Sequence, residues 1–524
     1  MVQRLGIVDL GSNTTRLVIY EYEPGYRFRL ADEVREIVRL REGMGETNIL
    51  RAAAIERALN ALRMFHALCR AMNVTEVIVV ATSAVRDSAN SAPLLARAQA
   101  ETGWPLRVLS GEEEGYYGAL GAINSTGLRE GYVLDLGGGS VQITEVRGGL
   151  PGRSVSLPLG ALRLTELFLG SDQVKPERVA RLLAYVQQHL TALDWFRARP
   201  GDSLVAIGGT IRNLAQIDQA QRQLPLDTVQ GYTLKAATIH ELADRLWRLS
   251  LKRRLAVPGM QEDRADIIHA GVLVYSALLR HSGFEELTVT RQGLREGVFY
   301  ERFLADQDQP IFADLRRFSV LNLARWFGAD HVHSHHVAYL ALRLFDDLLA
   351  AHRLDPAYRQ LLWAAGLLHD IGTAIDYQYH HLHSAYIVLA HDLPGYTPRE
   401  LALIALLCRY HRSRGMPKAG ELSPLLTAAD ERALKPLAGM LRLAEYLERG
   451  RHQVIRDVRC HLDPGQSWLQ IEALAAGNAA MELWDAGRNT DVLAEALGVT
   501  VELVEGLWPD ARMSEVALAP TAGG

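Results

Sequence analysis

Two aspartates, Asp9 and Asp135, each close an apolar strand and lead into a turn of small and polar residues. The first stretch reads GIVDLGSNTTRLVIY from Gly6 to Tyr20, the second GYVLDLGGGSVQITEV from Gly131 to Val146. Asp135 repeats Asp9 and Gly137 repeats Gly11, so a small motif is duplicated. A glycine-containing turn aligns backbone N–H groups into a concavity for an anion, with no Cβ to keep a phosphate away. The first turn adds the side chains of Ser12, Asn13, Thr14 and Thr15. A third turn, Gly208, Gly209 and Thr210 in VAIGGTIRNLA, joins a strand ending at Ile207 to a helix. Carboxylates beside phosphates repel them unless a cation intervenes, so Mg²⁺ (or Mn²⁺) is the natural mediator. Asp135 is the first choice of ligand, with Asp9 opposite.

Hydrolysis also needs a group that activates or orients water. VLSGEEEGYYGALGA offers Glu112, Glu113 and Glu114 at the start of a helix. The helix dipole favours acids in a first turn whatever their role. Successive helical residues point about 100° apart, so at most two of the three face one cleft. Gly115, Gly118 and Gly121 make a thin face on the same helix. Each costs about 1 kcal/mol of helix propensity relative to Ala, which implies close backbone approach.

These residues require elements to hold them. Strands and helices alternate over the first 300 residues or so: a hairpin, a helix over Ala52–Ala71, a buried strand Val77–Ala81, then a strand at Leu106–Leu109. The pattern predicts two α/β domains whose hairpins face one cleft. ADQDQP is a polar linker, and from Leu315 to about Leu447 the periodicity is helical. Strand-like Val454–Leu462 and Trp468–Leu474 flank DPGQ, and the final APTAGG reads as disordered.

The 524 residues are too many for one core and imply three or four domains. Hydrophobic residues at 48% and charged residues at 22% are ordinary for a soluble protein. No apolar run reaches the roughly 18 residues of a membrane span. The N-terminus lacks a signal-peptide layout, and three scattered cysteines argue against a disulfide framework, so the expected compartment is cytoplasmic. A net charge of -5 argues against DNA as partner. Two local basic clusters stand out: Arg245, Arg248, Lys252, Arg253 and Arg254, then Arg409, Arg412, Arg414 and Lys418. Eleven of the 18 histidines lie between His331 and His411. A buried His369-Asp370 pair amid Leu and Ile needs a partner, either a divalent metal or a structural hydrogen bond.

The stretches DLGSNTTRL, ATSAVRDSAN, LSGEEEG, DLGGGSVQI, AIGGTIRNLA, EDRADIIHAG and QGLREG, in this order, resemble the exopolyphosphatase/guanosine-pentaphosphate phosphohydrolase family of the actin-like ATPase and sugar kinase superfamily. The resemblance implies an α/β fold of two RNase H-like (actin-like) domains over 1–125 and 126–306, flanking the active-site cleft. An all-α HD-like domain (307–447), a small α+β segment (448–510) and a disordered tail (511–524) would follow. It implies Mg-assisted in-line attack of water on a terminal phosphate. Glu114 would be the general base, with Glu113 as the alternative, because Gly115 stands where the family usually has Ala. Asp135 would hold the metal. Gly137, Gly138, Gly139 and Ser140 would bind phosphate opposite Ser12, Asn13 and Thr14, and Arg86 would clamp a phosphate oxygen. Arg264 and Arg295 would be further phosphate ligands or structural ion-pair partners.

The helical half resembles the HD phosphohydrolase superfamily. His333, His369 and Asp370 match three expected ligands of a second divalent metal, and Glu445 stands where the fourth is normally Asp. His381, His383 and His411 could add ligands or touch phosphate, and with RYHRSRGMPK this half would complete a channel for a long anion. The expected activity is processive exopolyphosphatase action on inorganic polyphosphate by a homodimer. The alternatives are hydrolysis of guanosine pentaphosphate in the same cleft, an ATP-dependent kinase, and a non-catalytic phosphate sensor.

Overall fold

The computed structural model describes residues 2–508 apart from 46, 226, 227, 414, 464 and 466. The tail expected after residue 510, Arg414 of the second basic cluster, and Pro464 and Gln466 of the DPGQ turn lie outside the described residues. The chain forms two compact units, Met1–Leu315 and Arg316–Gly524. No helix among the described residues is long and apolar enough to cross a membrane.

The first unit is built on two sheets. In one, β1 (Gln3–Leu10), β2 (Thr15–Glu23), β3 (Arg27–Glu36), β4 (Glu76–Ala81) and β5 (Leu106–Val108) lie in the order β3-β2-β1-β4-β5. The other contains β6 (Gly131–Leu136), β7 (Val141–Arg147), β8 (Leu150–Leu157), β9 (Ser203–Ile207), β10 (Tyr232–Lys235) and β11 (Glu286–Val289), in the order β10-β11-β9-β6-β7-β8. The arrangement β3-β2-β1-β4-β5 is thus repeated as β8-β7-β6-β9-β11: an antiparallel three-strand meander followed by two parallel strands. The repeat extends to register. Asp9 pairs with Arg16 across the first hairpin, Asp135 with Gln142 across the second. Both turns close alike, Gly11 N–H donating to the Thr14 carbonyl and Gly137 N–H to that of Ser140.

Helical periodicity covers the sheets. Ala52–Ala71 buries Ala54, Ala58, Leu59, Ala61, Leu62, Phe65 and Cys69, a stripe at spacings of three and four that packs under β1, β2 and β4. The Ile268–Ser282 helix, apolar nearly all round, is buried in the core of the second sheet.

The Gly111–Thr126 helix packs tightly along its glycine face, as its spacing implies. A Cβ on Gly115 would overlap the Ser154 hydroxyl, one on Gly118 would lie 3.2 Å from Ile207 Cδ1, and one on Gly121 would overlap the Gly293 carbonyl. Gly297, on the neighbouring Leu294–Phe303 helix, meets the Tyr117 carbonyl in the same way. A backbone carbonyl cannot swing aside, so we expect Gly297→Ala to destabilise the unit by about 1–3 kcal/mol. An unchanged urea midpoint would mean that the two helices do not pack this closely.

The second unit is helical from Arg316 to Leu447 and ends in a three-stranded sheet of β12 (Ile455–Leu462), β13 (Trp468–Ala475) and β14 (Thr500–Leu507). Its third strand, parallel to β13, is absent from the sequence expectation. One core runs through helices and sheet, from Val337 and Leu344 to Val458 and Ile471. The first basic cluster is not one solvated face, because Arg254 is buried and donates to the Ser171 carbonyl.

Candidate active site

Asp9 and Asp135 end their strands on the floor of one cleft in the first unit. Gly11, Ser12, Asn13 and Thr14 line one wall, and Gly137, Gly138, Gly139 and Ser140 line the other. The turns meet: a Cβ on Gly138 would lie 3.3 Å from that of Ser12, and one on Gly139 would overlap the Ser83 hydroxyl. Only glycine lets the two anion-binding turns approach so closely. Gly208 and Gly209 open the Gly209–Gln221 helix at the same cleft, adding backbone donors and the positive end of its dipole. Thr210 faces away and packs against Gly271.

The three glutamates separate according to their capping chemistry. Ser110 caps the helix, accepting from the Glu113 N–H at 3.1 Å, while Glu113 Oε2 accepts from the Ser110 N–H at 2.8 Å. Arg107 takes the other Glu113 oxygen at 2.5 Å. Glu113 is thereby held outside the cleft, and Glu114, one helical step on, turns in and is buried.

Glu114 Oε1 accepts from Arg86 Nη1 at 2.5 Å and Oε2 from Gln142 Nε2 at 2.6 Å. Burial pushes its carboxyl up to about 8, against the pull of Arg86 and with a further push from Asp135 and Asp9. Arg86, expected on a phosphate oxygen, stands on Glu114 in this structure. It spends its guanidinium on Glu114 and the Leu109 carbonyl, because a buried carboxylate needs a partner.

Asp135 is pushed up to about 6 by burial, then by the charge of Asp9. Burial also raises Asp9, with Arg295 and Arg16 opposing. Asp9 Oδ1 is buried without a hydrogen-bond partner among the described residues. Two buried carboxylates that resist ionisation, one with a spare oxygen, fit a hard divalent cation with oxygen ligands.

Five arginines line the cleft: Arg16, Arg212, Arg264, Arg291 and Arg295. Sequence reasoning found two of them. Arg295 Nη1 lies 3.7 Å from Asp9 Oδ2, and the Arg264 guanidinium lies flat on Gly209, where a Cβ would lie 2.5 Å from its Cζ. Arg212 is pushed down to about 9 by burial and then by Arg16, Arg295 and Arg264, which marks an excess of positive charge. Gln142 and Glu296 also reach the cleft unanticipated.

In the helical unit His333, His369, Asp370 and Glu445 converge as expected. Of the three supplementary histidines only His411 joins them, and His380 comes in where His381 or His383 was expected.

A duplicated meander-plus-parallel unit with two facing phosphate turns and a carboxylate at the head of each defines an α/β enzyme of the actin-like fold. The model of the Ppx/GppA phosphatase family matches residues 18–305, and that of Ppx/GppA phosphatase domain III matches residues 315–486. The chain belongs to the Ppx/GppA phosphatase family and is a phosphoanhydride hydrolase. It is similar to the crystal structure of the Aquifex aeolicus family member, with 28% identity over 59% of this chain and 100% of that one and a TM-score of 0.51. It is also similar to an exopolyphosphatase from Cytophaga hutchinsonii, with 25% identity over 59% of this chain and 100% of that one and a TM-score of 0.53.

Proposed function

We propose that the chain is an exopolyphosphatase that removes terminal orthophosphate from inorganic polyphosphate. The observation that carries this reading is the cleft lining: five arginines, glycine turns on both sides, and no aromatic side chain among the described lining residues. A nucleobase would find no stacking surface there, whereas a chain of phosphates finds charge along its length. The same reading takes the active form to be a cytoplasmic homodimer.

In the mechanism, the N–H groups of the two turns and of Gly208–Gly209 hold the terminal phosphoryl oxygens. Glu114 accepts the proton of the attacking water as the water oxygen bonds to phosphorus, and the bridging P–O bond breaks. The products are orthophosphate and a chain one unit shorter. Arg86 and Gln142 position the Glu114 carboxylate. Asp9 and Asp135 would hold Mg²⁺ (or Mn²⁺), which supplies charge neutralisation at the transferred phosphoryl group. Gly118, one turn beyond Glu114, and Gly208 both border Asp135, so the metal-holding carboxylate stands beside the helix that carries the base. On this reading the arginines receive the departing chain, where negative charge develops.

The test is orthophosphate release by purified protein from long-chain polyphosphate with Mg²⁺, in direct competition with guanosine pentaphosphate. Polyphosphate is expected to be consumed first. A higher kcat/KM for the nucleotide would transfer the same chemistry to that substrate, and ATP-dependent transfer to an acceptor would replace it with a kinase.

A further inference from the structure

The arginines of the cleft keep company with a carboxylate that the mechanism does not use. β2 sets Arg16 opposite Asp9 on β1 and opposite Arg35 on β3. Residues directly opposite in antiparallel strands share a face, so Asp9, Arg16 and Arg35 form a row that runs from the cleft floor toward the sheet edge. Glu33 precedes Arg35 by two residues and stands on the same face, diagonal to Arg16. Arg16 Nη1 donates to Glu33 Oε1 at 2.8 Å.

Burial alone would raise the Glu33 carboxyl, but the charges of Arg16 and Arg295, the Arg16 hydrogen bond and the charge of Arg212 hold it below the ordinary carboxylate value. It is therefore an anion at neutral pH, set against three of the five arginines that line the cleft. Glu33 is not among the described lining residues, so it acts on the cleft through Arg16. With 31% of the Glu33 side chain exposed against 15% for Arg16, the carboxylate can turn to solvent while the guanidinium stays in the wall. The pair also relieves the repulsion between Arg16 and Arg35 across the strands, which on its own would make Glu33 a support for substrate binding. Even with Glu33 in place the arginines are not satisfied. Nε of Arg295 and Nε of Arg264 are buried without a hydrogen-bond partner among the described residues. An anion brought to this wall therefore meets donors that want it and a carboxylate that already holds one of them.

On the polyphosphate reading, on which this rests, we propose that Glu33 is a specificity-determining residue that competes with the substrate chain for Arg16. A phosphate behind the terminal one takes the Arg16 guanidinium only by displacing the carboxylate or by lying beside it, and either lowers affinity. When the shortened chain moves on, the carboxylate is at hand to retake the guanidinium, which eases release. The penalty falls on phosphates at the arginines and not on the terminal phosphoryl group, whose donors are the N–H groups of the turns. Orthophosphate, which the turns alone accommodate, escapes it.

The test titrates full-length Glu114→Gln protein, which turns over too slowly to deplete its ligand, with tripolyphosphate and with orthophosphate in Mg²⁺, followed by calorimetry. Adding Glu33→Gln keeps the length of the side chain and removes its charge. It is expected to tighten tripolyphosphate roughly fivefold and to leave orthophosphate unchanged. Most of that gain should vanish in a protein that also carries Arg16→Gln, since the contested guanidinium is gone. In the otherwise native enzyme, Glu33→Gln should lower KM for long-chain polyphosphate by a similar factor. Unchanged or weaker tripolyphosphate binding, the latter being what a purely supporting ion pair gives, would overturn the proposal. So would an equal gain for orthophosphate, or a full gain without Arg16. Tripolyphosphate that does not bind the Glu114→Gln protein at all would overturn the polyphosphate reading, and the proposal with it.

Discussion

Glu114→Gln is expected to slow orthophosphate release from polyphosphate by roughly 10²–10⁴-fold in kcat, the usual contribution of a general base, with KM little changed. Gln keeps an acceptor for Arg86 and nearly the same shape, so the loss isolates proton transfer from folding. Glu113→Gln should stay near wild type in activity, because that carboxylate serves the helix cap and Arg107 outside the cleft. The free enzyme should show the base in its pH profile. With a carboxyl raised to about 8, kcat/KM should climb well above the ordinary carboxylate range, and the Gln variant should lose that limb.

Stability gives an independent readout. A carboxyl raised from 4.5 in the unfolded chain to about 8 in the folded protein binds more protons in the native state between those values. Its contribution to stability is therefore present below about pH 4.5 and is lost as pH rises through about 8. The Gln variant has no such loss, so it should melt above wild type at pH 9, with the gap shrinking toward pH 5. The advantage at high pH should be on the order of a few kcal/mol. Equal melting at both pH values, with activity intact, would remove Glu114 from the role of buried base.

The two aspartates and their turns were legible because a hairpin leaves little freedom. With Leu10 opposite Thr15 and Leu136 opposite Val141, a strand-ending Asp and a glycine turn fix where the carboxylate stands. The choice between Glu113 and Glu114 was also within reach, since Ser110 and Glu113 form the spacing of a capping box and so assign Glu113 to the helix end. Arg16 had a signal in its position seven residues beyond Asp9, directly across the hairpin. Gln142 had the same signal, seven residues beyond Asp135 and directly across the second hairpin; Arg212 and Glu296 had none, because their approach depends on how separate elements pack. The same holds for His380 and His411, 31 residues apart and brought together by two adjacent helices. The third strand of the small sheet is written in the alternation of Thr500–Leu507.

Asp135→Asn should separate binding from catalysis. In wild type, Asp135 and Asp9 set negative charge against the phosphates, and the arginines offset only part of it without a cation. Replacing the carboxylate by an amide removes a charge and keeps the volume, so polyphosphate should bind the variant more tightly than wild type in the presence of a chelator. Hydrolysis should fall by roughly 10³-fold, since the cation that would meet the charge of the transferred phosphoryl group is no longer held in place. Mg²⁺ should raise the melting temperature of wild type and leave the variant unmoved, because a ligand stabilises only the form that binds it. The three measurements must agree. Retained hydrolysis with an unchanged Mg²⁺ dependence would place the metal elsewhere. Weaker polyphosphate binding in chelator would mean that Asp135 orders the turn at Gly137–Ser140 rather than opposing the anion held there.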